Sequence, residues 1–290
     1  MRVRNAVTWR AKILAKILLS RLPVSHDTWR RVGIFKLGRM RSGDYAIRML
    51  NQARERAGID SIDGLQLLEF GTGDSLFSAV LAHAAGASGS VHIDVGEFAD
   101  RDLAHYREFA KLLEERGYKP VDLGDVDTLD ELLDRCNARY LTNGLDSLRH
   151  VPSGSIDLMW SQSTIEHVRV GELAATAREL RRVMAPDGVA VHLVDVRDHL
   201  ADGLNSLRFS RRVWESNLMA NSGFYTNRVR MPQLLELFAD AGFAVEVLSA
   251  RRWDELPTPR HRMAPEFRQL SDDDLRVAVF VVRLTPAPAA

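Results

Sequence analysis

A single cysteine, Cys136, occurs among 290 residues, so the chain can form no intramolecular disulfide. No Cys/His grouping has the spacing of a structural zinc site. Charge of one overall sign is also missing: the formal net charge is zero, which gives no global electrostatic pull toward nucleic acid. Long apolar runs are absent too. The nearest approach, within residues 9–22, is interrupted by Lys16 and is too short to span a bilayer. No small-residue cleavage site follows it, so a cleaved signal peptide is not expected, and the expected location is cytoplasmic. What the chain does have is an apolar fraction of 46%, ample for the core of one large domain or two small ones.

The most informative stretch is residues 65–77, Leu-Gln-Leu-Leu-Glu-Phe-Gly-Thr-Gly-Asp-Ser-Leu-Phe. A short apolar strand ends at Glu69 and breaks into Gly71-Thr72-Gly73, and a helical pattern begins near Ser75. Such a turn lets backbone approach a ligand closely, and the helix N-terminus after it favours negative charge. Two common phosphate sites are excluded. The third glycine of a dinucleotide fingerprint is replaced by Leu76, and no Gly-Lys-Ser/Thr follows to make a P-loop. A second strand over residues 88–94 ends in Asp94, about twenty residues past the glycines, where a carboxylate can accept from both ribose hydroxyls of an adenosine. Taken singly, the turn could be an ordinary strand-to-helix connection and Asp94 an ordinary turn acid. Together, at this spacing, they favour an adenosine-containing cofactor.

A third stretch, residues 155–168, reads Ser-Ile-Asp-Leu-Met-Trp-Ser-Gln-Ser-Thr-Ile-Glu-His-Val. A helical pattern over residues 171–184 follows, with Arg181-Arg182 near its end, then Pro186-Asp187-Gly188 and a strand over residues 189–195. An acid two residues before Gly-x-Gly resembles motif I of class I S-adenosylmethionine-dependent methyltransferases, with Ser75 where members often carry a further glycine. Residues 155–168 resemble the signature around the fourth strand of the ubiquinone/menaquinone (type 11) small-molecule methyltransferases. The resemblance covers about residues 65–250. It implies a Rossmann-like α/β three-layer sandwich with a seven-stranded, mostly parallel sheet. Consistent with this, residues 243–248 and 277–284 read as a closing strand pair, the last strand antiparallel, and residues 285–290 as a disordered tail.

By the same resemblance the cofactor is S-adenosylmethionine. Gly71, Thr72, Gly73 and Ser161 would border its methionine half, Glu69 its ammonium, Asp94 its ribose, and Gly144, Leu145 and Asp146 its adenine, just after a third strand over residues 138–144. No metal is required. A base is needed only if the acceptor must lose a proton, and His199, His167 and Asp195 are the candidates. Asp195 and His199 lie at the carboxyl end of the fifth strand, where ligands of open α/β sheets bind, and His167 occupies the histidine of the fourth-strand signature. An insertion over residues 197–232 is the expected substrate lid, with Tyr225, Asn227 and Arg228 facing the acceptor.

Charge is unevenly spread. Residues 1–50 hold twelve basic and two acidic side chains, a local charge of +10, leaving −10 for the rest. Residues 1–57 therefore read as a basic helical extension and residues 58–290 as the catalytic domain. Within the extension, Val7, Ile13, Leu14, Ile17 and Leu18 share a helical face opposite Lys12 and Lys16. Residues 7–22 either lie on a membrane surface or pack over the catalytic domain. The implied activity is methyl transfer to a small-molecule, glycan or lipid-linked acceptor, without nucleic acid. A nucleotide-binding oxidoreductase, disfavoured by Leu76 and the closing strand pair, and a non-catalytic scaffold are the alternatives.

Overall fold

The computed structural model describes residues 9–19 and 42–288. Seven strands form one sheet: β1 (Gln66–Phe70), β2 (Gly89–Ile93), β3 (Ala138–Leu141), β4 (Ile156–Gln162), β5 (Met184–Asp195), β6 (Phe243–Arg252) and β7 (Val277–Pro286), in the order β3-β2-β1-β4-β5-β7-β6. Strands β1 to β5 pair parallel, while β7 runs antiparallel between β5 and β6, as the closing pair in the sequence implies. The order reverses between β1 and β4, so the crevice for a ligand opens above their carboxyl ends.

Side-chain alternation along the strands supplies two cores. Leu67, Leu158, Trp160, Val191 and Val281 face helices Gly43–Ala57, Phe77–Ala84, Leu103–Glu115 and Leu129–Arg135. Leu68, Phe70, Met159, Val194 and Phe280 face Leu145–Arg149, Val170–Val183 and Met231–Asp240. Helix Gly43–Ala57 buries Ala46, Met49, Leu50 and Ala53 in the first core, so it is a layer of the sandwich. The expected boundary after residue 57 thus falls at the end of a helix that packs in the sheet's core.

Several element ends differ from the sequence expectation. β3 stops at Leu141, three residues short, because Asn143 and Gly144 are already turning into helix Leu145–Arg149. β5 begins at Met184 and absorbs Pro186-Asp187-Gly188 through a register shift against β4 between Ile156 and Leu158, an irregularity able to accommodate the proline. Thr285 and Pro286 are not tail: they pair with Ala244 and Phe243. Residues 289 and 290 lie outside the described residues.

Helix Trp9–Leu19 packs on the insertion that follows β5. Its Ile13 is buried among Leu200, Trp214, Met219, Ala220, Phe224 and Tyr225, and Trp9 meets Phe209 edge-on at 6.1 Å. Leu14 and Leu18, expected on the same face, are instead 63% and 67% exposed. Among the described residues no helix is long and apolar enough to cross a membrane. The insertion is itself braced from the β6–β7 connection, where Met263, Ala264, Phe267 and Leu275 enclose Leu204 and Leu207. Residues 253–276, which read as a polar connection, therefore carry half of the lid's core.

Candidate active site

The turn after β1 is built from backbone that needs glycine: Gly71 has φ +88° and Gly73 φ +74°. Gly71 N–H donates to Ile93 O at 2.7 Å, tying the end of β1 to that of β2. A side chain at Gly71 would put its Cβ 2.0 Å from Thr164 Oγ1. Thr164, in the loop after β4, thus closes over the turn, a contact the sequence signature did not reveal. Gly71→Ala is expected to lower stability by about 1–3 kcal/mol from the left-handed backbone alone. Chemical denaturation would measure it, and adding Thr164→Ala should recover only the steric part of the loss.

Ser75, at the place of the missing glycine, is fully buried, and its Oγ accepts from Phe77 N at the start of helix Phe77–Ala84. Tyr106 Oη donates to Asp100 O at 2.6 Å and accepts from Leu76 N at 3.3 Å, which holds the far side of the turn. The departure from the glycine pattern is therefore absorbed inside the protein rather than presented to the ligand.

Asp94 stands where the spacing put it. Its Oδ2 accepts from Gly73 N at 2.9 Å and its Oδ1 from Val95 N at 2.7 Å, so one carboxylate bridges the glycine turn and the end of β2. Burial pushes its pKa up to about 6, against the pull of these backbone hydrogen bonds.

Glu69 departs from expectation. It is 3% exposed and points into the layer of helix Phe77–Ala84. There its Oε2 accepts from Ser78 Oγ and lies 3.1 Å from His92 Nδ1, while its Oε1 accepts from Trp160 Nε1 at 3.2 Å. It thus ties together β1, β2, β4 and the helix that starts the site. Ser161 is also turned away: its Oγ is 2.8 Å from His192 Nδ1 on the opposite face, where burial lowers the His192 pKa to about 4.

Thr72 is fully buried, and its Oγ1 has no hydrogen-bond partner among the described residues. Such an orphan beside two left-handed glycines suits a ligand that brings polar atoms to the turn. Gly144, φ +52°, is buried and donates to Asp94 O at 2.8 Å, with Val95 close above it. Leu145 follows, half-buried, while Asp146 is exposed and paired with Arg149 at 2.5 Å. Gly144 and Leu145 therefore border the crevice beside Asp94, whereas Asp146 is a surface ion pair.

The opposite side of the crevice is made by the segments after β4 and β5. Glu166 and His167 lie in a single turn of 3₁₀ helix, Ile165–His167. Asn227 of the lid fixes that turn: its Nδ2 donates to Ile165 O and Val168 O, and its backbone N–H donates to Glu166 O at 2.7 Å. His167 Nδ1 donates to Tyr225 O at 2.8 Å, because a carbonyl only accepts. That bond leaves Nε2 of His167 as the lone-pair nitrogen, and His199 Nε2 lies 3.2 Å from it. Both imidazoles reach solvent. The two histidines expected from different motifs thus form one pair.

Four other expected site residues have their polar groups engaged within the protein. Asp195 is held in a two-pronged ion pair by Arg197, with Nε–Oδ1 at 2.8 Å and Nη2–Oδ2 at 2.5 Å. Burial raises its pKa, but the Arg197 hydrogen bonds and charge outweigh this and hold the carboxyl below its usual range, a poor setting for a base. Asn227 serves the 3₁₀ turn, as above. Arg228 is buried with φ +63°, donates to Ser206 O and Phe209 O, and lies over the rings of Trp214 and Phe267. Tyr225 donates its hydroxyl to Glu215 at 2.9 Å. All three hold the lid together; an aromatic and basic loop composition could not distinguish that from acceptor binding.

Sequence reasoning passed over Glu166, which is 1% exposed beneath the histidine pair. Its Oε1 accepts from Asp195 N at 3.3 Å, and its Oε2 has no partner among the described residues. Burial drives its carboxyl well above the usual range, and the nearby Asp195 charge adds to the rise. The signal was present in the sequence, since an acid preceded the histidine in the signature.

Comparison with known proteins agrees with this geometry. The family described as "Methyltransferase domain", type 11, matches residues 68–192, which run from β1 through the glycine turn, Asp94 and the 3₁₀ turn into β5. No curated protein matches the chain. Solved structures similar to it include an S-adenosylmethionine-dependent methyltransferase from Mesorhizobium loti, 18% identical over 80% of this chain and 97% of that one, TM-score 0.44. Another is 1,6-didemethyltoxoflavin-N1-methyltransferase from Burkholderia thailandensis, solved with its substrate and S-adenosylhomocysteine, 13% identical over 96% and 89% of the two chains, TM-score 0.45. With the sheet order, the glycine turn and the family match in agreement, the chain carries a class I S-adenosylmethionine-dependent methyltransferase domain of type 11 and uses S-adenosylmethionine as its cofactor.

Proposed function

We propose that the enzyme methylates a hydroxyl-bearing small-molecule, glycan or lipid-linked acceptor, which enters on the His167–His199 side of the crevice. The observation that carries this reading is the histidine pair. The Tyr225 carbonyl fixes one imidazole, and the other reaches solvent beyond the carboxyl end of β5.

In the cofactor pocket, Gly71 and Gly73 offer close backbone approach, Thr72 Oγ1 an unspent polar atom, Asp94 a carboxylate for the ribose hydroxyls, and Gly144 and Leu145 the wall beside it. Bound S-adenosylmethionine supplies an electrophilic methyl on a sulfonium whose sulfur keeps the bonding pair when the methyl leaves.

The protein has to align an oxygen with that methyl and remove the oxygen's proton. His199, whose Nε2 lies 3.2 Å from the Nε2 of the fixed His167, is the imidazole assigned to accept the acceptor's proton. Asp195 and Arg197 neutralise each other and shape the edge of β5. The insertion, clamped by Arg228 and packed against helix Trp9–Leu19, would form the wall that shields the reacting atoms once the acceptor is bound. This reading places the enzyme in the cytoplasm. The outward Leu14 and Leu18 would allow contact with a membrane surface if the acceptor is lipid-linked.

The test is turnover with radiolabelled-methyl cofactor on phenols, hexosides and polyprenyl-linked sugars. On whichever class reacts, His199→Gln is expected to lower kcat about 10²–10⁴-fold, the usual range for losing a general base. Affinity for S-adenosylhomocysteine should stay within twofold. Full turnover by the variant would refute the role of His199.

A further inference from the structure

We propose that Glu166, His167 and His199 form a binding site for a divalent transition-metal ion of zinc's size and ligand preference, and that this ion holds the acceptor's oxygen. The inference deepens the reading above and rests on it for the identity of the oxygen, though the metal site itself does not. It also departs from the expectation that the chemistry needs no metal.

Four observations converge on the site. Ligand atoms of the three residues all lie within 4.8 Å of one another. The two Nε2 atoms are 3.2 Å apart. Two imidazoles bound at about 2.0–2.1 Å to one tetrahedral zinc would stand about 3.3 Å apart. The rings stack offset, at 21° and with centroids 4.9 Å apart, which brings both Nε2 atoms to the same side of the pair. Third, the outer contact typical of metal-binding histidines is already in place: His167 gives its other ring N–H to the Tyr225 carbonyl, so its Nε2 is held as a ligand.

The fourth observation is Glu166. A carboxylate oxygen that is 1% exposed and unpartnered is costly to keep unless something binds there. A carboxylate oxygen of Glu166 lies within 4.8 Å of ring nitrogens of both histidines, so a shared ion requires the carboxylate to move closer to them. Two nitrogens and one carboxylate are the donor set of a catalytic zinc site with a position open to water or substrate. The turn that carries Glu166 and His167 is rigid, pinned by three hydrogen bonds from Asn227.

With the ion present, its charge takes over the role of base given to His199 above. A coordinated hydroxyl loses its proton to solvent, the resulting oxyanion forms the new O–CH₃ bond, and the C–S bond breaks with its electron pair going to sulfur. The products are the methyl ether, S-adenosylhomocysteine and one proton, and no oxidant or reductant is involved.

The test uses the full chain, stripped with a chelator and titrated with cobalt(II) alone, followed by visible absorption. One equivalent should bind, with the ligand-field bands of a four- or five-coordinate nitrogen–oxygen site. His199→Gln, at a solvent-reached position, should bind at least about 100-fold more weakly while melting within a few degrees of the wild type, and Glu166→Asp should shift the bands. A wild-type chain that takes up no cobalt, or a folded His199→Gln that binds it equally well, overturns the site. Calorimetry with S-adenosylhomocysteine on the same metal-free samples separates the two readings, since a failure of cofactor binding there leaves the cobalt result standing.

Discussion

Asp94→Asn should weaken binding of S-adenosylhomocysteine by roughly 10²–10³-fold, about 3–4 kcal/mol for the loss of two hydrogen bonds to a charged acceptor. The carboxylate receives Gly73 N–H and Val95 N–H, which sets the shape of the glycine turn, and under the proposed function it also accepts from the ribose hydroxyls. An asparagine offers one oxygen to two backbone donors and turns its NH₂ toward the other, so turn and ligand compete for a single acceptor.

The same carboxyl predicts a pH dependence with a definite sign. Burial raises its pKa to about 6, so the free enzyme protonates it as pH falls through that value. The ribose hydroxyls donate, so the complex favours the ionised form, and binding must weaken below pH 6 by up to tenfold per unit. Above pH 7 it should be flat. Calorimetry between pH 5 and pH 8 checks both points: the wild type should lose affinity on the acid side and the asparagine variant should not. A variant within threefold of the wild type, or one with the same acid limb, would remove Asp94 from the cofactor site.

The glycine turn after β1 and the carboxylate at the end of β2 were legible in the sequence, and the reason is geometric. Gly71, Gly73 and Asp94 act through backbone conformation and a carboxylate at the end of a strand, and both depend on local spacing, which a linear pattern records. Glu69 and Ser161 were placed in the right strands but on the wrong task. Which face of a strand a polar residue joins depends on its cross-strand neighbours, here His92 and His192, and those pairings are 23 and 31 residues away. The acceptor half was harder to read for the same reason. His167 and His199 were found one at a time, each from its own motif, and nothing local shows that the lid brings their rings to 4.9 Å. Thr164 and Glu166 were missed because their roles exist only against Gly71 and the histidine pair. The insertion's charged and polar residues were misread outright: Asn227 and Arg228 spend their donors on main-chain carbonyls. The insertion is made of short helical turns, each leaving carbonyls at its end without a helical partner, and buried side-chain donors satisfy some of them.

Arg230→Leu should show how far that substitution of side chains for secondary structure supports the active site, with an expected loss of about 3–5 kcal/mol in stability. Arg230 is 1% exposed, at the N-cap of helix Met231–Asp240. Its Nη1 donates to Val196 O at 2.6 Å, and its Nη2 reaches Asp274 O at 3.1 Å, Leu275 O at 3.3 Å and Val277 O. One guanidinium thus joins the carboxyl end of β5 to the start of β7, the two strands whose antiparallel pairing distinguishes this sheet. Burial lowers its pKa to about 10, with Asp274 opposing, so it remains charged at neutral pH and its charge is balanced by carbonyl dipoles. Leucine would fill part of the volume and leave four carbonyls without that donor, each a buried acceptor with a desolvation cost of about 1–3 kcal/mol before relaxation. Lysine keeps the charge but not the planar fork, so Arg230→Lys should fall between the two. Urea unfolding measures the series, and a leucine variant within 1 kcal/mol of the wild type would contradict it. Because Asp195, Arg197 and His199 follow directly from the strand end that Arg230 holds, a destabilised but folded variant should lose acceptor turnover before it loses binding of S-adenosylhomocysteine at the β1–β2 side of the crevice.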